Sequence, residues 1–114
     1  MAFSVIEGTE TVGTTEWSLT TDTAGPDAEA TACYMQAFID LNALAAGDVF
    51  EMKIYEKIQS GGTQRVVATA TFANVQSDPI YVHPALHLVY GWDVTLKKLS
   101  GTDRSISWSL RKTA

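Results

Sequence analysis

Two histidines have the spacing of a possible metal site. His83 and His87 are four residues apart, which on a helix would turn both rings toward one ion. However, Pro84 lies between them, the segment reads as extended, and no carboxylate or thiol signature accompanies the pair. We therefore expect two structural or surface histidines here, and no metal.

Three acidic residues share one short segment, DTAGPDAEA from Asp22 to Ala30. Asp22, Asp27 and Glu29 offer oxygen atoms of the kind that calcium prefers, but their spacing matches no EF-hand loop. A Gly-Pro pair breaks the segment, and nothing in it needs burial. We predict an exposed surface loop without an obligatory metal.

The sequence shows no signature of an enzyme. Cys33 is the one cysteine, so no intrachain disulfide can form, and no motif marks it as a nucleophile. A role as a small buried apolar residue is expected for it. The chain has no G-x-S-x-G elbow, and Gly61-Gly62-Thr63 lacks the lysine of a phosphate-binding loop. We expect no catalytic residue and no cofactor.

Three tryptophans could form a platform that stacks on sugar rings: Trp17, Trp92 and Trp108. Two of them fall on the apolar side of predicted strands, so we favour a place in the core. A carbohydrate- or receptor-binding module is kept as an alternative function.

The strongest pattern in the chain is the stretch from Gly91 to Arg111, GWDVTLKKLSGTDRSISWSLR. Large apolar residues alternate with polar ones in both halves, which is typical of strands with one buried face. Folding the stretch about Gly101 predicts a hairpin with its opposite face, of Ser, Thr, Asp and Lys, in water. A second sheet must cover the apolar face, because a lone hairpin is marginal in water. The predicted core residues of this hairpin are Trp92, Val94, Leu96, Ile106, Trp108 and Leu110.

The rest of the chain reads as short strands between turns. Residues 3–6, 9–12 and 16–20 predict two short strands, or one bent strand broken at Gly13. Further β-prone runs are residues 49–58, 65–75, 80–83 and 85–90, and the prolines around the run 80–83 suit it to a sheet edge. We predict one all-β domain over residues 1–114, an antiparallel β-sandwich or jelly roll of seven to eight short strands.

One segment, residues 31–44, fits two structures. Its apolar residues fall near helical spacing, and Gly47 could end a helix. As a strand, it places Met35, Ala37, Ile39 and Leu41 on one face. The compact turn at residues 42–48 and the clear strand after it favour strand–turn–strand, which we adopt.

Composition and charge restrict the partners. The chain is 46% hydrophobic and 18% charged, and its net charge of −5 argues against nucleic acid as the main partner. No run approaches the ~18–20 apolar residues that span a bilayer. The first residues, MAFSVIEGTE, lack the basic start of a signal peptide. We expect synthesis in the cytoplasm and no membrane partner.

Charge is unevenly placed along the chain. From Trp92 onward there are five basic and two acidic residues, whereas three basic and eleven acidic residues precede it. The basic residues after Trp92 are either scattered over a solvent-exposed surface or form a basic edge that contacts an acidic neighbour, such as a second copy.

Three blocks resemble small β-rich virion structural proteins of tailed bacteriophages: GTTEWSLTTDTAG, FIDLNALAAGDVFEMKIYEK and GWDVTLKKLSGTDRSISWSLR. The likeness covers most of the chain and is one of general pattern. It implies a place in the virion after synthesis in the host cytoplasm, as a capsid decoration or cement protein bound to the major capsid protein or another virion protein. A head–tail joining or tail component is the alternative. The resemblance carries over no functional residue.

The N-terminal segment is the predicted contact with other subunits. It is β-prone, charged only at Glu7 and Glu10, and has no proline to guard a strand edge. We expect a homo-oligomer or a docked subunit whose contact residues are Phe3, Val5, Ile6, Thr9 and Val12.

Overall fold

Residues 3–113, which the computed structural model describes, form ten strands and no helix. The strands are β1 (Phe3–Val12), β2 (Trp17–Ser18), β3 (Thr23–Ala24), β4 (Cys33–Asp40), β5 (Val49–Lys57), β6 (Arg65–Ala73), β7 (Ile80–Val82), β8 (Leu86–Leu88), β9 (Tyr90–Ser100) and β10 (Arg104–Thr113). The prediction of an all-β fold is confirmed. Residues 3–113 contain no helical segment of the length and hydropathy needed to cross a membrane.

The strands form two five-stranded antiparallel sheets around one hydrophobic core. The first sheet has the order β1-β10-β4-β7, with β8 also paired to β4, and the second has the order β3-β2-β9-β5-β6. The pairs are nested along the chain: β5 with β6, then β4 with β7, then β2 with β9, then β1 with β10. Nested pairs divided between two sheets make a jelly roll. Eight strands form the nest, and the short β3 and β8 bring the number within residues 3–113 to ten, more than predicted.

The predicted C-terminal hairpin is wrong in its pairing. β9 pairs with β2 and β5, and β10 pairs with β1 and β4, so the two strands lie in opposite sheets. Leu96, for example, lies opposite Met52 and Trp17 instead of Ile106. Alternation shows which side of a strand is buried but not which strand lies beside it. The six apolar residues are all buried, since the two strands meet across the core: Trp92, Val94, Leu96, Ile106, Trp108 and Leu110.

The polar side of β9 was predicted to be wet, and this is also wrong. Asp93 and Thr95 are 0% and 1% exposed, because the chain between β1 and β4 lies over them. The Asp93 carboxylate accepts hydrogen bonds from Ser18 Oγ at 2.9 Å, from the Asp27 amide at 2.8 Å and from the Thr20 hydroxyl. The predicted surface loop therefore has mostly exposed side chains, but its Asp27 amide is bonded to the second sheet.

The segment with two interpretations is a strand. In β4, Cys33, Met35, Ala37 and Ile39 are buried and the residues between them are not, which matches the strand reading. A turn follows and leads into β5, as predicted. The short β7 pairs only with β4 and lies at the edge of the first sheet, where its flanking prolines suggested it would be.

Two turns that cross between the sheets are joined by one buried carboxylate. Asp48, in the β4–β5 turn, accepts hydrogen bonds from the Thr102 amide at 2.9 Å, Arg104 Nε at 2.7 Å and the Ala45 amide at 2.9 Å. These donors, the Thr102 amide first among them, lower the pKa of Asp48 to about 2. Gly101 has a φ of +92°, and a Cβ there would lie 2.3 Å from Asp48 Oδ1. Only glycine fits this β9–β10 turn.

Candidate protein-docking face

The outer side of the first sheet carries large side chains that face away from the core. Alternation along β1 turns Phe3 and Val5 outward, and they are 72% and 52% exposed. Alternation along β4 turns Tyr34 and Phe38 outward while their neighbours enter the core. Arg111 of β10 is exposed between them. These five residues are termed the aromatic face.

Strand pairing brings the aromatic face together from three distant parts of the chain. Because β10 lies between β1 and β4, Arg111 lies directly opposite Val5. Phe3 lies opposite Thr113, whose hydroxyl accepts a hydrogen bond from the Tyr34 amide at 3.0 Å. The patch exists only when all three strands are in register.

Contacts between neighbouring side chains hold three members of the aromatic face in place: Tyr34, Phe38 and Arg111. The Arg111 guanidinium lies 3.8 Å from the centroid of the Phe38 ring, and its Nε donates to Ser109 Oγ at 3.2 Å. Tyr34 stacks on His87 with 4.5 Å between ring centroids and 19° between ring planes. Side chains held in this way lose little rotamer freedom when a partner binds, which favours affinity.

The outer side of the first sheet is grooved. A cavity of about 340 Å³ is lined by the whole aromatic face, together with Met35, Gln36, Ala85 and Thr113. A second cavity of about 340 Å³ shares Phe38 and Arg111 with it. A third, of about 400 Å³, shares Ser107 with the second. Neighbouring cavities thus share lining residues across β1, β10 and β4.

The predicted N-terminal contact residues divide between the two sides of β1. Phe3, Val5 and Thr9 are exposed on the outer side. Ile6 packs against the core, and Val12 is 1% exposed within it, so including these two as contact residues is wrong. The prediction treated the segment as a whole, whereas a strand offers only alternate residues to one side.

The candidate metal ligands have other contacts. Asp22 Oδ1 accepts the Trp17 indole hydrogen at 3.0 Å, and Asp27 Oδ2 accepts from the Thr23 hydroxyl at 3.0 Å. Glu29 Oε1 accepts from the Thr31 amide at 3.1 Å, which lowers the pKa of Glu29. Across residues 3–113, no three His, Cys, Asp or Glu side chains lie close enough together to hold a metal ion.

The two histidines also have separate surroundings. His83 Nδ1 lies 2.8 Å from the Tyr81 hydroxyl, and burial lowers its pKa. His87 belongs to the stack with Tyr34 on the first sheet. Cys33 is buried in the core, and this desolvation raises the pKa of its thiol, which makes it a poor nucleophile.

The tryptophans do not form a shared platform. Trp92 and Trp108 are 0% and 4% exposed, and their indole nitrogens donate to backbone carbonyls at Thr31 (2.8 Å) and Leu19 (3.0 Å). Trp17 is half-buried beside the core. A sugar could not stack on the two buried rings without opening the fold.

The basic residues of the C-terminal part are dispersed. Lys98 pairs with Asp103 at 2.5 Å, and Arg104 pairs with Asp48 at 2.7 Å. Arg111 lies on the outer side of the first sheet, whereas these pairs lie at the turns. The alternative of one basic edge is therefore not supported, and Arg111 is the cation that the aromatic face presents.

Sequence reasoning found Phe3 and Val5 but missed the other members of the aromatic face. The strand interpretation of residues 31–44 places Tyr34 and Phe38 on the face opposite Met35, but it does not say which face is buried. Exposed aromatic side chains that lie together form an apolar patch of the kind that marks an interaction site, whereas isolated ones carry no such signal. The meeting of Tyr34 and Phe38 with Arg111 depends on β10 lying beside β4, which no local pattern shows.

No protein-family model, curated protein or solved structure matches this chain.

Proposed function

We propose that this chain is a virion structural protein of a tailed bacteriophage, a capsid decoration or cement protein that docks on the major capsid protein through the aromatic face. The observation that carries the proposal is the aromatic face itself. It combines a 72% exposed Phe3 and a 55% exposed Tyr34 with an ordered arginine, all beside one groove. Aromatic residues and arginine are the types enriched at the centres of protein interfaces.

The chemistry of the aromatic face suits burial against another protein. Phe3 and Val5 would lose their contact with water on docking, and each Å² of apolar surface removed is worth about 25 cal/mol. Arg111 would contribute a hydrogen-bonding cation that is already packed on Phe38. The partner surface should therefore be apolar with a carboxylate positioned for Arg111. Burial of surface is the work of a cement protein, and it needs no reaction.

The same contacts would serve a head–tail joining or tail component, which differs only in the protein that it meets. A carbohydrate-binding module is favoured by one observation, the exposed stack of Tyr34 on His87, which could hold a sugar ring. Glycan binding that is lost in Tyr34→Ala, without binding to capsid protein, would support that alternative.

Binding to particles lacking this protein tests the proposal. Tyr34→Ala and Arg111→Gln should each weaken binding at least tenfold, because they remove central groups of the aromatic face. Tyr90→Ala is a matched control: Tyr90 is 41% exposed but belongs to β9 in the second sheet. Circular dichroism should be unchanged in all three variants.

Several results would contradict the proposal. They are full binding by both aromatic-face variants, equal weakening in the Tyr90 control, or absence of the protein from purified particles. Point variants are preferred to deletion of residues 1–8. That deletion removes six of the ten residues of β1, and with them the Gly8 backbone on which the Trp108 ring packs. Loss of fold would then imitate loss of docking.

A further inference from the structure

The sandwich has two long open strand edges at opposite ends. β1 ends the first sheet and β6 ends the second, and each is paired on one side only. The other edges are short. β3 has two residues, and β7 and β8, which both pair with β4, have three residues each, with Pro79 and Pro84 on either side of β7. The described part of the chain thus offers two sites where another strand could be added.

The two open edges differ in charge. Between Val66 and Val75, β6 and the residues after it carry no charge, no proline and no glycine, and Val66, Val67 and Val75 are 44%, 42% and 68% exposed. β1 carries Glu7 and Glu10. The sequence reasoning that chose β1 overlooked the more open edge.

We infer that β6 is a self-association edge, where it pairs antiparallel with β6 of a second copy of this chain to form a two-fold symmetric dimer. The inference does not depend on the proposed function. The inferred contact lies at the β6 end of the sandwich, whereas the aromatic face begins on β1 at the other end.

A register centred on Ala70 matches side chains well. Thr69 then lies opposite Thr71 of the second copy, twice by symmetry, and Ala68 lies opposite Phe72. Cross-strand Thr pairs and a small residue against a large one are favourable neighbours. Both threonines are exposed in the isolated chain, and Phe72 is already buried, with only 5% of its surface exposed. The pairing therefore requires no rearrangement of the core.

The absence of acidic groups on the β6 edge suits a second copy as the occupant. The chain carries a net charge of −5, so two copies repel each other least when they meet at a surface without acidic groups. Arg65 is the only charged residue of β6, and it lies outside the pairing segment, beyond the bulge at Val67. Self-pairing of β1 about its centre would set the two copies of Glu7 opposite or diagonal to each other, which is destabilising.

Two structural features, one at each end of β6, limit the number of residues that can pair with a second copy. A β-bulge at Val67, where Ile54 pairs with Ala68 but Tyr55 pairs with Val66, ends the regular ladder on one side. On the other side, Gln76 Nε2 donates to the Ala73 carbonyl at 2.9 Å. Residues 68–72 are therefore the pairing segment, because Ala73 would lie opposite the bulged Val67 of the second copy. An isologous contact uses the same edge of both copies, so it closes at a dimer and forms no filament.

Sedimentation equilibrium over a wide range of protein concentration tests the inference. The chain should show a monomer–dimer equilibrium, and Thr69→Lys/Thr71→Lys should shift it at least tenfold toward monomer by setting lysines against each other across the two-fold axis. The matched control is Thr9→Lys/Thr11→Lys, which makes the same exposed substitutions on the other open edge. It should leave the equilibrium unchanged.

A cross-link supplies a second test that does not depend on how well the lysine variant folds. A mixture of Thr69→Cys and Thr71→Cys chains should form a disulfide-linked dimer on mild oxidation, while each variant alone should not. The native Cys33 is buried and should not compete. A link in Thr69→Cys alone would overturn the proposed register.

The pairing itself would be overturned by a monomeric wild type at its highest soluble concentration, or by dissociation in the β1 control with none in the β6 variant. The two proposals fail separately. The β6 variants should still bind particles through the aromatic face, and the Tyr34 and Arg111 variants should still dimerise.

Discussion

Truncation of Trp108 should be among the most damaging single changes to this fold. Its side chain is 4% exposed and packs on Gly8, where a Cβ would lie only 2.7 Å from the indole Cζ2. Its Nε1 donates to the Leu19 carbonyl at 3.0 Å. Trp108→Ala would therefore leave a cavity between the sheets and a buried carbonyl without its partner.

The expected loss is about 3–5 kcal/mol of unfolding free energy, the usual range when a core aromatic residue is cut to alanine. That is a large fraction of the ~5–15 kcal/mol that a domain possesses. At roughly 4 °C per kcal/mol, the melting temperature should fall by about 15 °C. Trp108→Phe is a milder change. It keeps an aromatic ring in place but removes the indole donor and part of the buried volume, so its loss should be smaller than that of Trp108→Ala.

Urea unfolding followed by circular dichroism measures both losses. Trp17→Ala is the control, because Trp17 is only half-buried at the margin of the core and should cost clearly less. A loss below about 1 kcal/mol for Trp108→Ala would show that Trp108 does not fill the space between the sheets. The arrangement of β9 and β10 on opposite sides of the core would then be wrong.

Three further predictions concern the turns and the loop. Asp48→Asn should destabilise the protein most above about pH 5 and progressively less toward pH 2. The pKa of Asp48 is lowered to about 2 in the folded protein, so the carboxylate contributes its full stability above its unfolded-state pKa and loses that contribution as it becomes protonated. Urea midpoints measured across this pH range test the prediction, and a difference between wild type and variant that does not change with pH would contradict it. Gly101→Ala should cost more than about 1 kcal/mol, since alanine tolerates neither a φ of +92° nor the contact with Asp48; an unchanged melting temperature would refute the turn geometry. Calcium should leave the melting temperature of the wild type unchanged, and a rise of many degrees that Asp27→Ala abolishes would establish a metal site.

Much of the fold could be predicted because the burial of one face of a strand produces an alternating pattern in the local sequence. The alternation in β4 grouped Met35, Ala37 and Ile39 on one face, and these residues are buried. The run of residues 49–58 predicted a strand where β5 lies, and the alternate residues Phe50, Met52 and Ile54 of that strand are fully buried. The prolines around β7 likewise recorded its edge position. Each of these inferences needed only neighbouring residues, whose side-chain directions follow from strand geometry.

Strand neighbours could not be predicted in the same way, because they depend on the path of the chain between the sheets. β9 and β10 looked like a hairpin, yet the turn at Gly101 leads from one sheet to the other. The burial of Asp93 has the same origin, since a loop distant in sequence supplies the donors for its carboxylate. The aromatic face was missed for this reason too, as its members come from three strands that only the topology brings together.

The nested pairing has a consequence for how the chain folds. Seven residues separate β5 from β6, whereas about ninety separate β1 from β10. Closing the longer loop first would cost about 2 kcal/mol more free energy than closing the shorter one, because it restricts more of the chain's conformational entropy. Folding is therefore expected to begin at the β5–β6 hairpin and to proceed outward, each pair shortening the loop that the next must close. β1 would be added last and would open first, so its amide hydrogens should exchange faster than those of β5. The strand that carries Phe3 and Val5 would thus be the most readily released part of the sandwich.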